Sequence, residues 1–172
     1  VGKEVRVNYI AGSIDLSASS ITATPTTIKA DGVEMSVIEV KLQDRSGNPV
    51  ISATDRNTGH RYQVKLVSVG NLVGDILPAD GLMTSDGAGT FFAYVKSINE
   101  GGDTFSFTVD GARATGTATV KYTAGDVNIS NSTFTVTPNV INTGLNGTGG
   151  KATFTVTLYD QFGNAVAPNN AG

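Results

Sequence analysis

The feature that most restricts the fold of this 172-residue chain is a long internal repeat. Aligning Tyr9 with Tyr122, 113 positions later, brings VNYIAGSIDLSASSITATPTTI onto VKYTAGDVNISNSTFTVTPNVI, and apolar residues meet apolar residues along the alignment. Further along, QDRSGNPV from Gln43 recurs as YDQFGNAV from Tyr159. A period of this length is too long for a solenoid repeat of about 20 to 50 residues and is typical of a string of whole domains. The repeated octapeptide is therefore interpreted as one corner of a repeated module, with a structural role.

The repeat divides the chain into three parts. Residues 1–12 correspond to the last strand of a preceding module, residues 13–125 to one complete module, and residues 126–172 to the N-terminal part of a following module. The opening stretch VGKEVRVNYIAG starts without Met and reads as internal sequence. We therefore expect the chain to be a piece of a longer protein.

Alternating apolar and polar residues indicate strands, and no stretch has the spacing of an amphipathic helix. The alternation predicts buried side chains at every second position of five strands, with Ser106 and Thr108 facing outwards. The predicted buried set comprises Ile38, Val40, Leu42, Tyr62, Val64, Leu66, Phe91, Ala93, Val95, Phe105, Phe107, Val109, Ala118, Val120 and Tyr122. Asp-Gly and Gly-Asn pairs between the strands are typical of tight turns. About seven short strands in roughly 110 residues predict an all-β fold, a two-layer antiparallel sandwich of the immunoglobulin type.

Composition and charge exclude several functions for such a sandwich. The chain has no Cys and no Trp, which excludes an antibody-type core with a disulfide and a zinc site built from thiolates. A net charge of −3 with scattered basic residues provides no positive surface, so neither nucleic acid nor an anionic membrane is a predicted partner. No apolar run approaches the about 20 residues of a membrane-spanning helix, and direct membrane insertion is not predicted.

The order of short motifs between Ser13 and Tyr122 resembles the bacterial immunoglobulin-like domain, group 1, of invasin- and intimin-type outer-membrane adhesins. The motifs are ITATPTTIKADG, SVIEVKLQDRSGNPV, TSDGAGTFFAYVKS, GGDTFSFTVDG and ATVKY, and the second copy resumes the pattern at Asp126. Two features depart from the family pattern: Ser85 lies within the TSDGAG turn, and ISATDRNTGH is longer than the usual connection. The path of residues 51–61 is therefore not predicted. The resemblance implies tandem immunoglobulin-like sandwiches, a bacterial surface location and a role in cell adhesion.

No arrangement of residues in the sequence predicts catalysis. His60 is the only histidine, and it lies at the edge between a loop and a strand, where a solvated polar residue is usual. The sequence has no nucleophile elbow, no P-loop and no His-Glu pair at metal-binding spacing. We therefore expect a protein that is not an enzyme and that has no catalytic residues, no cofactor and no resident metal.

Five aspartates could supply oxygen ligands for Ca²⁺ at a joint between modules. They are Asp31, Asp44, Asp86, Asp103 and Asp126. The alternative is that each aspartate caps a turn through its side-chain oxygen, and the lack of an Asp-x-Asp-x-Asp cluster favours it. Within the octapeptide, Asp44 is predicted to accept hydrogen bonds from the amides that follow it.

The sequence predicts a non-catalytic stalk or spacer module of a bacterial cell-surface adhesin, exported within a longer precursor. Its partners would be neighbouring modules of the same chain, while a host-cell receptor or surface glycan would bind another part of the protein. One alternative is a receptor-binding domain that uses Phe92 and Tyr94 as surface contacts, because aromatic side chains are enriched at interfaces. Another is an accessory module of a secreted polysaccharide-active enzyme, or of a surface-layer or phage structural protein.

Overall fold

The computed structural model of the chain describes residues 10–51, 54, 59–142, 144 and 149–167. These residues form strands and turns, and no α-helix occurs among them. The same described ranges accordingly contain no helix that could span a membrane. The predicted closing strand of a preceding module falls almost entirely outside the described residues, as does much of the connection between residues 51 and 61.

Within the described residues, ten strands lie between residues 20 and 123. They are β1 (Ser20–Thr24), β2 (Thr27–Lys29), β3 (Ser36–Lys41), β4 (Val64–Ser68), β5 (Asp75–Leu77), β6 (Thr84–Ser85), β7 (Thr90–Lys96), β8 (Gly101–Val109), β9 (Ala112–Arg113) and β10 (Ala118–Thr123). One sheet has the order β1-β3-β7-β5 with β6 beside β7, and the other has the order β2-β10-β8-β4 with β9 beside β8. The predicted all-β sandwich is confirmed. The structure has more strands than the sequence predicted, because strands of two or three residues are too short to display an alternation.

One strand pair is parallel, which the alternation did not predict. β2 runs parallel to β10, with Ile28 opposite Tyr122, whereas the other pairs within the two sheets are antiparallel. Between β1 and β2 stands Pro25, which has no N–H to donate to a strand ladder. The opening segment therefore leaves the first sheet at Pro25 and continues in the second sheet without reversing its direction.

The core lies between the two sheets and contains the predicted apolar side chains. All of the predicted set are buried except Tyr62, which is partly buried and packs against the core. Ser106, however, is buried and does not face outwards as predicted. Its hydroxyl donates a hydrogen bond to the carbonyl oxygen of Ala114 at 3.0 Å. A buried hydroxyl is tolerated where a backbone acceptor is available, and alternation alone does not reveal that acceptor.

A buried carboxylate ties the segment before β5 to the second sheet. Asp103 is 2% exposed and accepts hydrogen bonds from the amides of Val73 at 2.8 Å and Gly74 at 2.9 Å, and from the hydroxyl of Tyr122 at 3.0 Å. Gly74 has no room for a side chain, because a Cβ atom would lie 2.5 Å from the carbonyl oxygen of Lys96. Burial, together with the Asp103 carboxylate, raises the pKa of Tyr122 above its usual range. Asp103 is thus an acceptor inside the sandwich.

A separate two-stranded sheet follows the sandwich. It consists of β11 (Thr133–Thr137) and β12 (Thr153–Thr157), which pair antiparallel with Phe134 opposite Val156. This register reproduces that of β1 and β3, in which Ile21 lies opposite Val40. Burial differs between the copies: Phe134 is 66% and Val156 is 59% exposed, whereas Ile21 and Val40 are buried. The internal repeat therefore extends to strand pairing, while the apolar side chains of the second pair remain exposed.

Candidate functional site: the joint after the sandwich

The sandwich and the second copy meet at a short connection. Residues 123–126 run from the end of β10 into the second copy, and two loops that are hydrogen-bonded to each other complete the connection. One is the loop of residues 97–100 between β7 and β8, and the other is the corner of residues 160–166, which belongs to the repeated octapeptide. We refer to these three segments together as the joint.

Asp160 holds the connecting segment from the side of the second copy. Its side chain is 1% exposed, and its Oδ2 atom accepts a hydrogen bond from the amide of Gly125 at 2.9 Å. Its Oδ1 atom accepts hydrogen bonds from the amides of Phe162 and Asn164, each at 2.9 Å. Burial opposes ionisation, but the hydrogen bonds from Asn164 and Gly125 outweigh it, so the pKa of Asp160 lies below its usual value. Asp160 is therefore an ionised acceptor at neutral pH.

Asn164 bridges the corner and the sandwich. Its Nδ2 atom donates to the carbonyl oxygen of Ile98 at 2.9 Å and to Oδ2 of Asp160 at 2.7 Å. Its Oδ1 atom accepts a hydrogen bond from the amide of Glu100 at 2.8 Å. One amide side chain thus uses its donors and its acceptor together, and it fixes the corner against the β7–β8 loop.

An ion pair and a groove complete the joint. Nζ of Lys29 lies 2.9 Å from Oδ1 of Asp126, and the pKa of Lys29 is raised by this hydrogen-bonded carboxylate. Both side chains are well exposed, so the pair contributes little to stability. A groove of about 570 Å³ beside the pair is lined by apolar and acidic side chains, among them Val33, Val127, Ile129, Phe162, Asp31 and Asp160.

The aspartates considered as calcium ligands make other contacts. Asp31, Asp44 and Asp86 accept hydrogen bonds from backbone amides two to four positions later in the chain, as turn-capping residues do. Asp126 pairs with Lys29. Among the residues that the structure describes, no three His, Cys, Asp or Glu side chains are grouped as a metal site would require. Asp31, Asp44 and Asp86 thus have the geometry of backbone capping, while Asp103 is the buried acceptor described above.

Asp44 makes at the start of the sandwich the contact that Asp160 makes in the joint. Its Oδ2 atom accepts a hydrogen bond from the amide of Gly12 at 2.8 Å, as that of Asp160 does from Gly125. Hydrogen bonds from the Asn48 side chain and from Gly12 lower the pKa of Asp44 to about 2. The prediction that Asp44 accepts bonds from following amides is confirmed. Its contact with the glycine before the sandwich was not predicted from the sequence.

The two aromatic side chains proposed as surface contacts lie on the outer face of β7. Tyr94 is 46% exposed and Phe92 is partly buried, while the alternate residues of the strand are in the core. Strand pairing places Val37 and Leu77 on either side of Tyr94. The predicted phase of this strand is confirmed, and a role of Phe92 and Tyr94 in binding stays a prediction.

His60 lies next to an acidic residue at the edge of the sandwich. Its Nε2 atom is 3.0 Å from Oδ2 of Asp110, and its side chain is 56% exposed. Oδ1 of Asp110 also accepts a hydrogen bond from the amide of Gln63 at 2.9 Å. Asp110 therefore links the turn after β8 to the segment that leads into β4.

Comparisons with known proteins match the sandwich, and the matches to solved structures extend beyond it. The family described as "Invasin, domain 3" matches residues 15–125. The crystal structure of invasin, described as a bacterial integrin-binding protein, is 27% identical with a TM-score of 0.70, covering 92% of this chain and 29% of that one. Yersinia pseudotuberculosis InvD is 21% identical with a TM-score of 0.64, covering 91% of this chain and 45% of that one. The Escherichia coli adhesin FdeC is 18% identical with a TM-score of 0.61, covering 90% of this chain and 44% of that one.

These matches confirm the predicted resemblance to the immunoglobulin-like domains of invasin-type adhesins. The likenesses to InvD and FdeC concern the fold alone, because their sequence identity is low. This chain spans less than half the length of each of the three structures. The match to invasin covers more of the chain than the sandwich does, so it includes residues of the second copy.

Proposed function

Because this chain belongs to the invasin domain 3 family, we propose that it is a non-catalytic spacer in the stalk of a bacterial cell-surface adhesin. It acts outside the cell, as part of a longer exported protein. Its direct partners are neighbouring modules: residues 1–12 close a preceding module, residues 13–125 form a complete one, and residues 126–172 begin the next. A host-cell receptor or surface glycan binds another part of the protein.

The short, hydrogen-bonded joint is the observation that carries this proposal. Two residues, Ala124 and Gly125, separate β10 from the second copy, whereas a flexible tether needs many freely rotating units. Asp160 holds the amide of Gly125 within the connection, and Asn164 binds the β7–β8 loop beside it. Bonds at two separate places restrict rotation of one part against the other. A joint of this kind passes on the orientation of one module to the next, as a stalk requires.

Distance measurements between two spin labels test the stiffness of the joint. The chain has no cysteine, so Thr115→Cys at the far end of the sandwich and Gln161→Cys in the corner give two labels at exposed positions. We expect a narrow distribution of distances at neutral pH that a chelator does not change. Asn164→Ala should broaden it, and the matched variant Asn48→Ala should not. A broad distribution in the unmodified joint contradicts the spacer function, and broadening by chelator alone restores calcium as a candidate.

The second candidate is a receptor-binding module of the same kind of adhesin. The exposed ring of Tyr94, flanked by Val37 and Leu77 on the outer face of the first sheet, favours it. The two candidates are distinguished by whether Tyr94→Ala weakens attachment of the full-length adhesin to host cells while the joint stays stiff.

A further inference from the structure

The two copies of the octapeptide form the same internal hydrogen bonds. Asp44 holds the amide of Gly12 as Asp160 holds that of Gly125. Nδ2 of Asn48 donates to Oδ2 of Asp44 at 2.9 Å, and Nδ2 of the second copy's asparagine donates to Asp160 at 2.7 Å. In both corners the backbone amide of the asparagine also donates to Oδ1 of the aspartate at 2.9 Å. The same sequence therefore builds the same corner twice.

The two corners differ in the contacts that their asparagine side chains make outside the corner. Asn164 is partly buried, because its side chain also binds the carbonyl oxygen of Ile98 and the amide of Glu100. Asn48 is exposed, and its side-chain contacts with other described residues are those to Asp44. A primary amide offers two N–H donors and a carbonyl acceptor. Asn48 therefore has, beyond its bonds to Asp44, the same side-chain donor and acceptor atoms that Asn164 uses to bind the β7–β8 loop.

We propose that the corner around Asp44 and Asn48 is a second docking site, and that its partner is the β7–β8 loop of a preceding immunoglobulin-like module. This inference rests on the tandem arrangement proposed above. Asp44 holds the connecting glycine, and Asn48 binds a backbone carbonyl and the amide two residues later. The occupant is identified by continuity with the joint after the sandwich, where the equivalent corner already holds such a loop.

The loop that would be recognised is defined by its own hydrogen bonds. In this chain the hydroxyl of Ser97, a buried residue, accepts a bond from the amide of Asn99 and donates to its carbonyl oxygen, each at 2.9 Å. The carbonyl oxygen of Ser97 accepts from the amide of Gly32 at 2.9 Å. These bonds hold the loop closed, so that Ile98 and Glu100 present a carbonyl oxygen and an amide to Asn164. A module with the same loop offers the same pair of groups to Asn48.

The second docking site differs from the joint in the side chains around the corner. Ser13 stands where the second copy has Asp126, and Ser46 stands where it has Phe162. The docking site therefore lacks the carboxylate that pairs with Lys29 and the ring that lines the groove. Recognition of a preceding module would depend on Asp44 and Asn48 themselves. Loss of the asparagine should accordingly matter more here than it does in the joint.

A duplicated chain, residues 1–125 followed directly by residues 13–172, tests the proposal. Its junction reads KYTAGSIDLS, close to the natural YIAGSIDLS, and it places the Asn48 corner of the second unit beside the loop of the first. With only the first unit isotope-labelled, hydrogen exchange at its Glu100 amide reports docking. We expect this amide to be protected, and Asn48→Ala in the second unit to speed its exchange by about tenfold. The matched control Arg45→Ala, an exposed residue of the same corner, should leave the rate unchanged.

Two further readouts separate the possible outcomes. The Gly125 amide of the first unit reports whether Asp44 still holds the connection. If Asn48→Ala also speeds exchange at the Gly125 amide, the variant Asn48→Asp is used in its place. This variant keeps an acceptor but loses the N–H donors, and it should still accelerate exchange at Glu100. Equal exchange at Glu100 with and without the second unit overturns the inference. Asn164→Ala in the natural chain tests the proposed spacer independently, because it acts on the joint and leaves the Asn48 corner intact.

Discussion

Asp103 shows what a single buried carboxylate requires. A charged group inside the sandwich is costly unless its oxygens are fully hydrogen-bonded. Asp103 receives three hydrogen bonds, from two amides before β5 and from the hydroxyl of Tyr122. The hydroxyl joins β10, the last strand of the sandwich, to the start of β8. Its loss therefore leaves the Asp103 carboxylate with one donor fewer and removes a bond between two strands.

Tyr122→Phe should therefore lower the free energy of unfolding by about 1 to 3 kcal/mol, because a buried acceptor loses a donor. The ring itself is kept, so no cavity forms. Tyr94→Phe is the matched control: Tyr94 is 46% exposed, and removal of its hydroxyl should change stability by less than about 0.5 kcal/mol. Urea unfolding followed by circular dichroism measures both values. Equal stability of the two variants would show that the Asp103–Tyr122 bond contributes nothing.

The success of sequence-based prediction at single positions depended on the kind of interaction. Strict alternation placed Phe91 and Val95 correctly, because burial of apolar side chains follows the period of the strand. Ser106 was placed wrongly, since its burial depends on an acceptor brought by a later segment. The contact of Asn164 with Glu100, across 64 positions, has no local pattern at all. The one signal that could have found it is the repetition of this asparagine in both octapeptides.

Among the elements, the β11–β12 pair repeats a strand pair of the sandwich but leaves its apolar side chains exposed. It repeats the register of β1 and β3, and Phe134 and Phe154 stack with their ring centroids 5.8 Å apart. Each of these rings is nevertheless 66% exposed. Two strands without a facing sheet are only marginally stable in water. The pair therefore adds little to the stability of the sandwich, although it lies beside it in the chain.

Cutting the chain after Ala124 should change the free energy of unfolding of the sandwich by less than about 1 kcal/mol. The cut removes Gly125 together with Asp160, so no buried donor is left without its acceptor. The other bonds lost, those of Asn164 and of the Lys29–Asp126 pair, are exposed and weak. Thermal and urea unfolding of the two chains gives the comparison. A loss of several kcal/mol would mean that residues 126–172 fold as part of the same unit.

At the level of strands, the sequence predicted the sandwich but not the exchange of its opening segment between the sheets. The alternation in β3, β7, β8 and β10 is long enough to specify a face. Pro25 marks a break in the sequence but does not reveal which sheet the chain joins next. The parallel pairing of β2 with β10 depends on a strand some 90 residues later and is decided by packing of the whole sandwich.

In the molecule as a whole, the position of the second copy depends on ionised aspartates. Asp160 must be a carboxylate to accept its bonds from Gly125 and from the corner amides. Its pKa is lowered on folding, so its contribution is complete above the unfolded value of about 4 and is lost as the pH falls through the lower, folded value. Asp31, which lines the same groove, also has a lowered pKa, through bonds from the amides of Glu34 and Val33. Lys29 stays charged throughout this range, because its pKa is raised.

The joint should therefore loosen in acid before the sandwich unfolds. With labels at Thr115→Cys and Gln161→Cys, we expect a narrow distribution of distances from pH 7 to about pH 4 and progressive broadening below that, as Asp160 is protonated. Asp160→Asn should give a distribution that is broad at pH 7 and does not change with pH, because its amide cannot replace an ionised acceptor. Asp44→Asn, the matched change in the other corner, should keep the pH dependence of the wild type, with circular dichroism confirming that the sandwich is folded. Broadening that begins above pH 5, or a distribution in Asp160→Asn that is as narrow as in the wild type, would mean that Asp160 does not hold the joint.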